Sequence, residues 1–421
     1  MKKLTTLATA LKGPKAWVLL DQVVFSATSF ITTILLARLL GISDFGTYAA
    51  IVLYLYLMLS IITALVSGPF QVLQAQYSDN KNYTSSLLYM QAFLILIMAS
   101  LTLALLQCNL SALNTCKPYT GLMLFLLAGF LAQDFFRRFF LATDQPQKAF
   151  VTDAISGLLQ VVGLLVAAWG HQLNLHAALW IVAATYLPAI AMALVYFRPK
   201  LPNLASFIHF SKLHLYHGKW LLVTALLQWW ANNFLLAAAG LLLGIKALGA
   251  LRLAQTLFGV LNALLQVFEN YALPKAAMFL QQSQSHMQQY LRGITRQSIY
   301  LLLPVLVAAL LFPRQLFLLA GGQAYTDYAY ALQGMALLYL LIFIGNPLRI
   351  AIRALLLNRD FFIAYIISFL FSIVFAQYFI KTWQVGGVIA ALIVNQLLML
   401  GYWYAVLARK KFWLWKSSTS F

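Results

Sequence analysis

Long apolar runs separated by short polar segments fill the chain from end to end, and the runs are too long for strands of a soluble core. A bilayer core of about 30 Å needs ~20 mostly apolar residues per helix. A backbone in hydrocarbon must satisfy its own polar groups, so runs of this length form helices. The pattern predicts twelve spans, at about 16–40, 45–75, 84–107, 119–143, 148–169, 175–197, 219–243, 247–273, 298–320, 328–357, 361–381 and 386–408. The expected fold class is therefore all-α: a polytopic membrane protein with 12 transmembrane helices, arranged as two six-helix lobes around a central cavity.

The longest polar interruption runs from Arg198 to Lys219 and divides the spans evenly. The sequence thus predicts an N-terminal six-helix lobe over 1–198, an inter-lobe linker over 199–218 and a C-terminal six-helix lobe over 219–421. Within the linker, Phe207, Phe210, Leu213 and Tyr216 fall at helical spacing among His and Lys, as in a short amphipathic helix lying on a membrane surface. His209, His214 and His217 share that stretch, but their spacing does not fit a compact zinc site. An internal repeat supports the two halves: Leu40-Gly41-Ile42 and Gly46 recur as Leu243-Gly244-Ile245 and Gly249. Glycine at those turns is expected to permit tight reversal and close helix contact. Pro69 and Pro274 are expected to end the second helix of each half, and Arg138 to Thr143 is weakly echoed by Arg353 to Asn358. Even span numbers per half make the repeats parallel, an organisation in which transporters bind substrate between the repeats.

Polar residues inside the spans fall on single helical faces. Gln22, Ser26, Ser29 and Thr33 form a stripe in the first span, with Asp21 at its edge. Asp153, Ser156, Gln160 and Gly163 line up in the fifth, and Thr224, Gln228 and Asn232 in the seventh. The eighth carries Arg252, Gln255, Gly259, Asn262, Gln266 and Glu269, and the tenth Asn346, Arg349 and Arg353. Such residues also serve as plain hydrogen-bonding contacts between helices. Stripes on five helices are better explained by a shared hydrated interior.

The fourth span contains Gln133-Asp134-Phe135-Phe136-Arg137-Arg138. Asp134 precedes the two arginines by three and four residues and pairs with one of them, which leaves an excess positive charge. The repeat puts Arg349 and Arg353 at the matching place in the second lobe, so four arginines are expected to face one cleft. Guanidinium grips phosphate through paired hydrogen bonds. The alternative is snorkelling, since these arginines lie within about three turns of the cytoplasmic span ends. Arg252 would continue a cationic path outward. Arg137, Arg138, Arg349, Arg353, Arg252, Gln22 and Asn346 are thus the candidate substrate-binding residues. Asp21, Asp134, Asp153 and Glu269 are candidate ion-coupling acids, because a membrane carboxyl can exchange a proton or bind sodium; a static ion pair is the alternative for each.

Composition narrows the class. Hydrophobic residues make up 63% of the 421 and charged residues 9%, a balance that no soluble globular domain shows. The formal net charge of +19 would suit nucleic acid, but its lysines and arginines sit in short loops and at both termini, without a nucleic-acid-binding fold. With the N-terminus placed inside, eighteen basic residues, among them Lys2, Lys3, Lys12, Lys15 and Lys416, fall in cytoplasmic segments and four in external loops. This bias orients the chain with both termini cytoplasmic. The first apolar run is too long for a signal-peptide core and is read as a retained helix. Cys108 and Cys116 flank a short external loop and are close enough in sequence to be disulfide-bonded in an oxidising compartment. No glycine-rich nucleotide loop, metal-ligand cluster or Ser-His-acid set appears, so the chain reads as neither an enzyme nor a holder of metal or cofactor.

Leu20-Asp21-Gln22, Ser26, Phe30, Ala37-Arg38, Leu40-Gly41, Phe45-Gly46 and Tyr48 resemble the opening of polysaccharide-transporter proteins. These belong to the multidrug, oligosaccharidyl-lipid and polysaccharide exporter superfamily, which includes the O-antigen lipid flippases. Twelve spans are closer to that branch than to the fourteen-span lipid-linked peptidoglycan flippases. The resemblance implies a monomeric, multi-pass protein of the bacterial inner membrane. It would flip an undecaprenyl-diphosphate-linked oligosaccharide repeat for surface polysaccharide such as O-antigen, with membrane lipids and a polysaccharide polymerase or chain-length protein as partners. Rival readings are a cation-coupled multidrug antiporter of the same superfamily and a membrane-embedded glycan-lipid transferase. The first wants a net acidic cavity, and the second a catalytic element that Asp134 or Asp153 alone does not supply.

Overall fold

The computed structural model describes residues 14–77, 80–108 and 114–415. Lys2, Lys3, Lys12 and Lys416, which entered the orientation count, lie outside them. Thirteen helices carry the described chain: α1 (Pro14–Leu39), α2 (Ile42–Leu73), α3 (Lys81–Gln107), α4 (Thr120–Ala142), α5 (Pro146–Trp169), α6 (Leu175–Phe197), α7 (Leu204–Leu243), α8 (Ile245–Leu257), α9 (Gly259–Gln282), α10 (Gln284–Leu311), α11 (Pro313–Gly321), α12 (Ala329–Ala354) and α13 (Asn358–Arg409). Ten of them are long and apolar enough to cross a bilayer singly. The pair α8 and α9, bent by 51° at their junction, meets the same length and composition together and counts as an eleventh span when taken as one.

The twelfth span is concealed within α13. Gln384 has φ 49° and ψ −130°, outside the helical region, so the run is two helices, 358–383 and 385–409. They lie side by side and antiparallel. Tyr402 donates to Asp360 Oδ1 at 3.0 Å, and the rings of Phe361 and Trp403 stack 5.9 Å apart. Residues 42 positions apart on one straight helix would be separated by about 60 Å. The chain is an all-α polytopic membrane protein, and large apolar side chains such as Leu19, Val23, Leu96, Val162 and Leu303 stand exposed on its helices, as lipid contact requires.

Two compact units emerge, Met1–Leu226 and Leu227–Phe421, and the boundary falls inside α7. The stretch expected as a short interfacial helix is continuous with the seventh span, because no proline or cap interrupts Leu204–Leu243. Its first part packs within the first unit. Tyr83 OH lies 2.9 Å from His214 Nε2, and Gly218 lies so close to α2 that a Cβ there would meet Ala64 O at 2.9 Å.

Inside the first unit, small residues let helices approach, as packing in lipid favours. A Cβ on Gly157 of α5 would lie 2.3 Å from Thr28 Oγ1 of α1, and one on Gly129 of α4 would lie 2.9 Å from Tyr186 of α6. Asn80, Asn174 and Ser283 cap the starts of α3, α6 and α10 with side-chain oxygens. Three local expectations change. Pro69 does not end its helix: a π turn over Thr63–Ser67 precedes it and α2 continues to Leu73. The wider turn relieves the clash that a proline ring makes with the carbonyl four residues back. Pro274 likewise lies within α9, which runs on to Gln282. The repeated glycines also differ, for Gly244 adopts φ +93° and needs to be glycine, whereas Gly41 has an ordinary φ of −64°.

Candidate functional site

Each unit gathers charged side chains from several of its own helices, and the two clusters differ in sign. In the first unit, Arg137 of α4 is buried against α1 and α5. Its Nη2 lies 2.8 Å from Asp21 Oδ2 and donates to Gln22 Oε1 at 3.1 Å, and its Nε lies 2.9 Å from Asp153 Oδ2. The guanidinium carbon sits 4.3 Å above the Phe25 ring. Asp21 is 0% exposed and Asp153 3%, so both carboxylates depend on this arginine for charge compensation. Gln133, one turn before Arg137, donates to Asp153 Oδ1 at 3.1 Å and to Ser156 Oγ at 2.5 Å. Farther along the same seam, Gln160 donates to Thr32 at 2.7 Å. The close packing at Gly157 and Thr28 is what brings Asp21 and Asp153 to one guanidinium.

Arg138 forms a separate pair with Asp134, Nε to Oδ2 at 2.6 Å, one turn apart on α4. Acid four residues before base is the favourable helical order. Asp134 thus pairs with one arginine as its spacing predicts. The expected surplus positive charge does not follow, because Arg137 is matched by two carboxylates from other helices. With all groups ionised, three carboxylates face two guanidiniums, and the first unit's cluster is negative by one. Asp21 Oδ1 is buried there without a hydrogen-bond partner.

The second unit reverses the ratio. Glu269 of α9 bridges two arginines of α12, with Oε2 2.9 Å from Arg349 Nη2 and Oε1 in contact with Arg353 Nη1. One carboxylate serves two guanidiniums, so this cluster is positive by one. The arginine side chains are 36% and 39% exposed against 11% for Glu269. Arg349 Nε is a buried donor without a partner, as is Nδ2 of Asn346, which is 6% exposed and one turn earlier on the same face. Arg353 also lies 6.0 Å over the ring of Phe361.

Arg252 belongs to neither grouping. It donates to Gln255 Oε1 at 3.3 Å on α8, before the bend at Phe258. The single polar stripe expected from Arg252 to Glu269 is therefore broken at Phe258 and Gly259. Beyond the break, Asn262 donates to Tyr339 OH at 2.7 Å. Cys108 is exposed and Cys116 buried, and both are free thiols. Sequence reasoning gave Gln133 no role and passed over Phe25 and Gly157. Gln133 precedes Arg137 by four residues and Gly157 follows Asp153 by four, so helical spacing from a chosen charge would have found both.

A family model described as "Polysaccharide biosynthesis protein" matches residues 35–330, more than half of the chain. No curated protein matches. Among solved structures, an inward-facing multidrug resistance MATE family transporter of the MOP superfamily aligns with a TM-score of 0.71 at 15% identity, covering 97% of this chain and 100% of that one. The lipid II flippase MurJ, in an inward closed conformation, gives a TM-score of 0.71 at 12% identity, over 94% of this chain and 88% of its own. A MOP superfamily transporter from Pyrococcus furiosus, described as having a binding pocket of reversed polarity that suggests a different function, gives 0.61 at 14% identity, over 97% and 98%. These likenesses establish the fold.

Proposed function

The chain belongs to the polysaccharide biosynthesis protein family, and we propose that it is a flippase for a lipid-linked oligosaccharide. Its cargo would be an undecaprenyl-diphosphate-linked repeat unit, moved across the bacterial inner membrane by alternating access for O-antigen, capsule or exopolysaccharide assembly. The observation that carries this reading is the Glu269, Arg349 and Arg353 cluster, where two half-exposed guanidiniums share one carboxylate. A positive charge retained inside a membrane protein is costly and marks a polar path. Paired guanidiniums match the oxygens of a diphosphate. Asn346 adds a buried, unpartnered donor on the same face. Arg138, already paired with Asp134 but 30% exposed, is a secondary contact.

Asp21, Arg137 and Asp153 have a different role in this proposal. Their excess carboxylate is suited to a proton or a sodium ion, so this cluster is the ion-coupling element, and the basic residues of the loops orient both termini to the cytoplasm. The same cluster supports a second reading, a cation-coupled multidrug antiporter; one structural neighbour is described as a multidrug resistance MATE family transporter. Two experiments separate them. In a strain lacking the gene, the Arg349→Gln and Arg353→Gln double variant should reach the membrane at normal levels, yield no surface polymer and accumulate lipid-linked oligosaccharide. Normal surface polymer in that strain defeats the flippase reading, and drug resistance conferred by the wild-type chain would favour the antiporter.

A further inference from the structure

The bridging carboxylate of Glu269 occupies the position that an anionic cargo needs. We propose that Glu269 is an internal competitor, a built-in anion that holds Arg349 and Arg353 in the empty transporter and is displaced when a diphosphate binds. This rests on reading the arginine pair as the cargo site and adds how that site is regulated.

The geometry supplies the reasons. One carboxylate, with two oxygens, touches two guanidiniums through Arg349 Nη2 and Arg353 Nη1. It leaves Arg349 Nε and Asn346 Nδ2 buried and unsatisfied. A buried donor without an acceptor is costly, so the empty site is not at its best hydrogen-bonding state. A diphosphate brings more oxygens and more negative charge than a carboxylate. It can therefore take both guanidiniums and also reach the two donors that Glu269 leaves open. Displacement exchanges one set of charge-assisted bonds for another, so binding gains only the difference. A transporter needs that moderation: an uncompensated arginine pair would hold its cargo too firmly to release it. The arginines are also never left without a counter-charge in hydrocarbon, because Glu269 returns as the cargo leaves. Residue exposure fits the exchange, since the guanidiniums are reachable while the carboxylate lies deeper.

Binding of inorganic pyrophosphate to the purified full-length protein in detergent, measured by calorimetry at fixed ionic strength, tests this. Glu269→Gln removes the competing charge at constant volume and should tighten binding about tenfold relative to wild type. Glu269→Asp keeps the charge but is one methylene too short to bridge both arginines, and should tighten binding less. Its inclusion keeps the test open if the glutamine variant fails to fold. Arg349→Gln with Arg353→Gln should abolish binding. If this arginine variant binds as wild type does, or if no form binds pyrophosphate, the cargo-site reading itself fails. If the arginine variant loses binding while both Glu269 variants bind no tighter than wild type, the site stands and the competitor role is wrong.

Discussion

Arg137→Ala would leave Asp21 and Asp153 without the guanidinium they share. Both acids are buried, at 0% and 3% exposure, and Arg137 contacts them at 2.8 and 2.9 Å. Breaking a buried pair by deleting one partner typically costs about 3–5 kcal/mol, because the remaining charge is stranded in a poor solvent. That corresponds to a factor of about 10² to 10⁴ in the folded-to-unfolded ratio. Neutralising the stranded acids should recover much of it. The predicted order of thermal stability in detergent is wild type, then Arg137→Ala combined with Asp21→Asn and Asp153→Asn, then Arg137→Ala alone. Melting followed by tryptophan fluorescence or by monodispersity after heating reads the order. An Arg137→Ala protein that melts with wild type would refute the reasoning, since the acids would then have no need of their partner. Arg138→Ala deprives a single acid, Asp134 (8% exposed), of a partner that is itself 30% exposed, and should destabilise less than Arg137→Ala.

Other outcomes follow from local geometry. Gly157→Ala places a methyl 2.3 Å from Thr28 Oγ1 and should lower the melting temperature, with Thr28→Ala restoring part of the loss; an unaffected melting curve would show that α1 and α5 adjust freely. At the α13 reversal, Gln384 holds φ 49° and ψ −130°, a conformation suited to glycine, so Gln384→Gly should stabilise by about 1 kcal/mol. Gly387→Ala, whose Cβ would overlap Phe379 O, should abolish expression of folded protein. Burial pushes the Cys116 thiol above its ordinary range, so less thiolate is present at any given pH. Maleimide should label exposed Cys108 at neutral pH and Cys116 only as pH rises further, and a gel shift in reducing agent would contradict the free thiols.

What the sequence revealed, and what it hid, follows the range of the interactions. The spans were legible because lipid imposes their length, and the gap expected between 381 and 386 contains Gln384, where α13 reverses. Asp134 with Arg138 was legible as a single-turn pair. The partners of Arg137 were not, since Asp21 lies 116 positions away and only helix packing brings it near. The repeat aligned the arginines of α4 with those of α12, yet Arg137 takes its counter-charges from α1 and α5, Arg138 from its own helix, and Arg349 and Arg353 from α9. The sequence suggested surplus positive charge beside Asp134 and four arginines on one cleft, whereas side-chain pairing leaves the first unit's cluster negative and the second's positive. Pro69 and Pro274 read as helix ends in water-soluble terms, whereas in a membrane protein a π turn or neighbouring helices absorb the missing hydrogen bond.

Reconstitution supplies the most direct measurement. Proteoliposomes holding the purified protein and a fluorescent polyprenyl-diphosphate-linked oligosaccharide report movement between leaflets by the loss of protection from a membrane-impermeant quencher. Wild type should equalise the leaflets faster than protein-free vesicles, and the Arg349→Gln, Arg353→Gln protein should match the protein-free rate. Equal flipping by wild type and that variant would contradict the assignment of the arginine pair to the cargo.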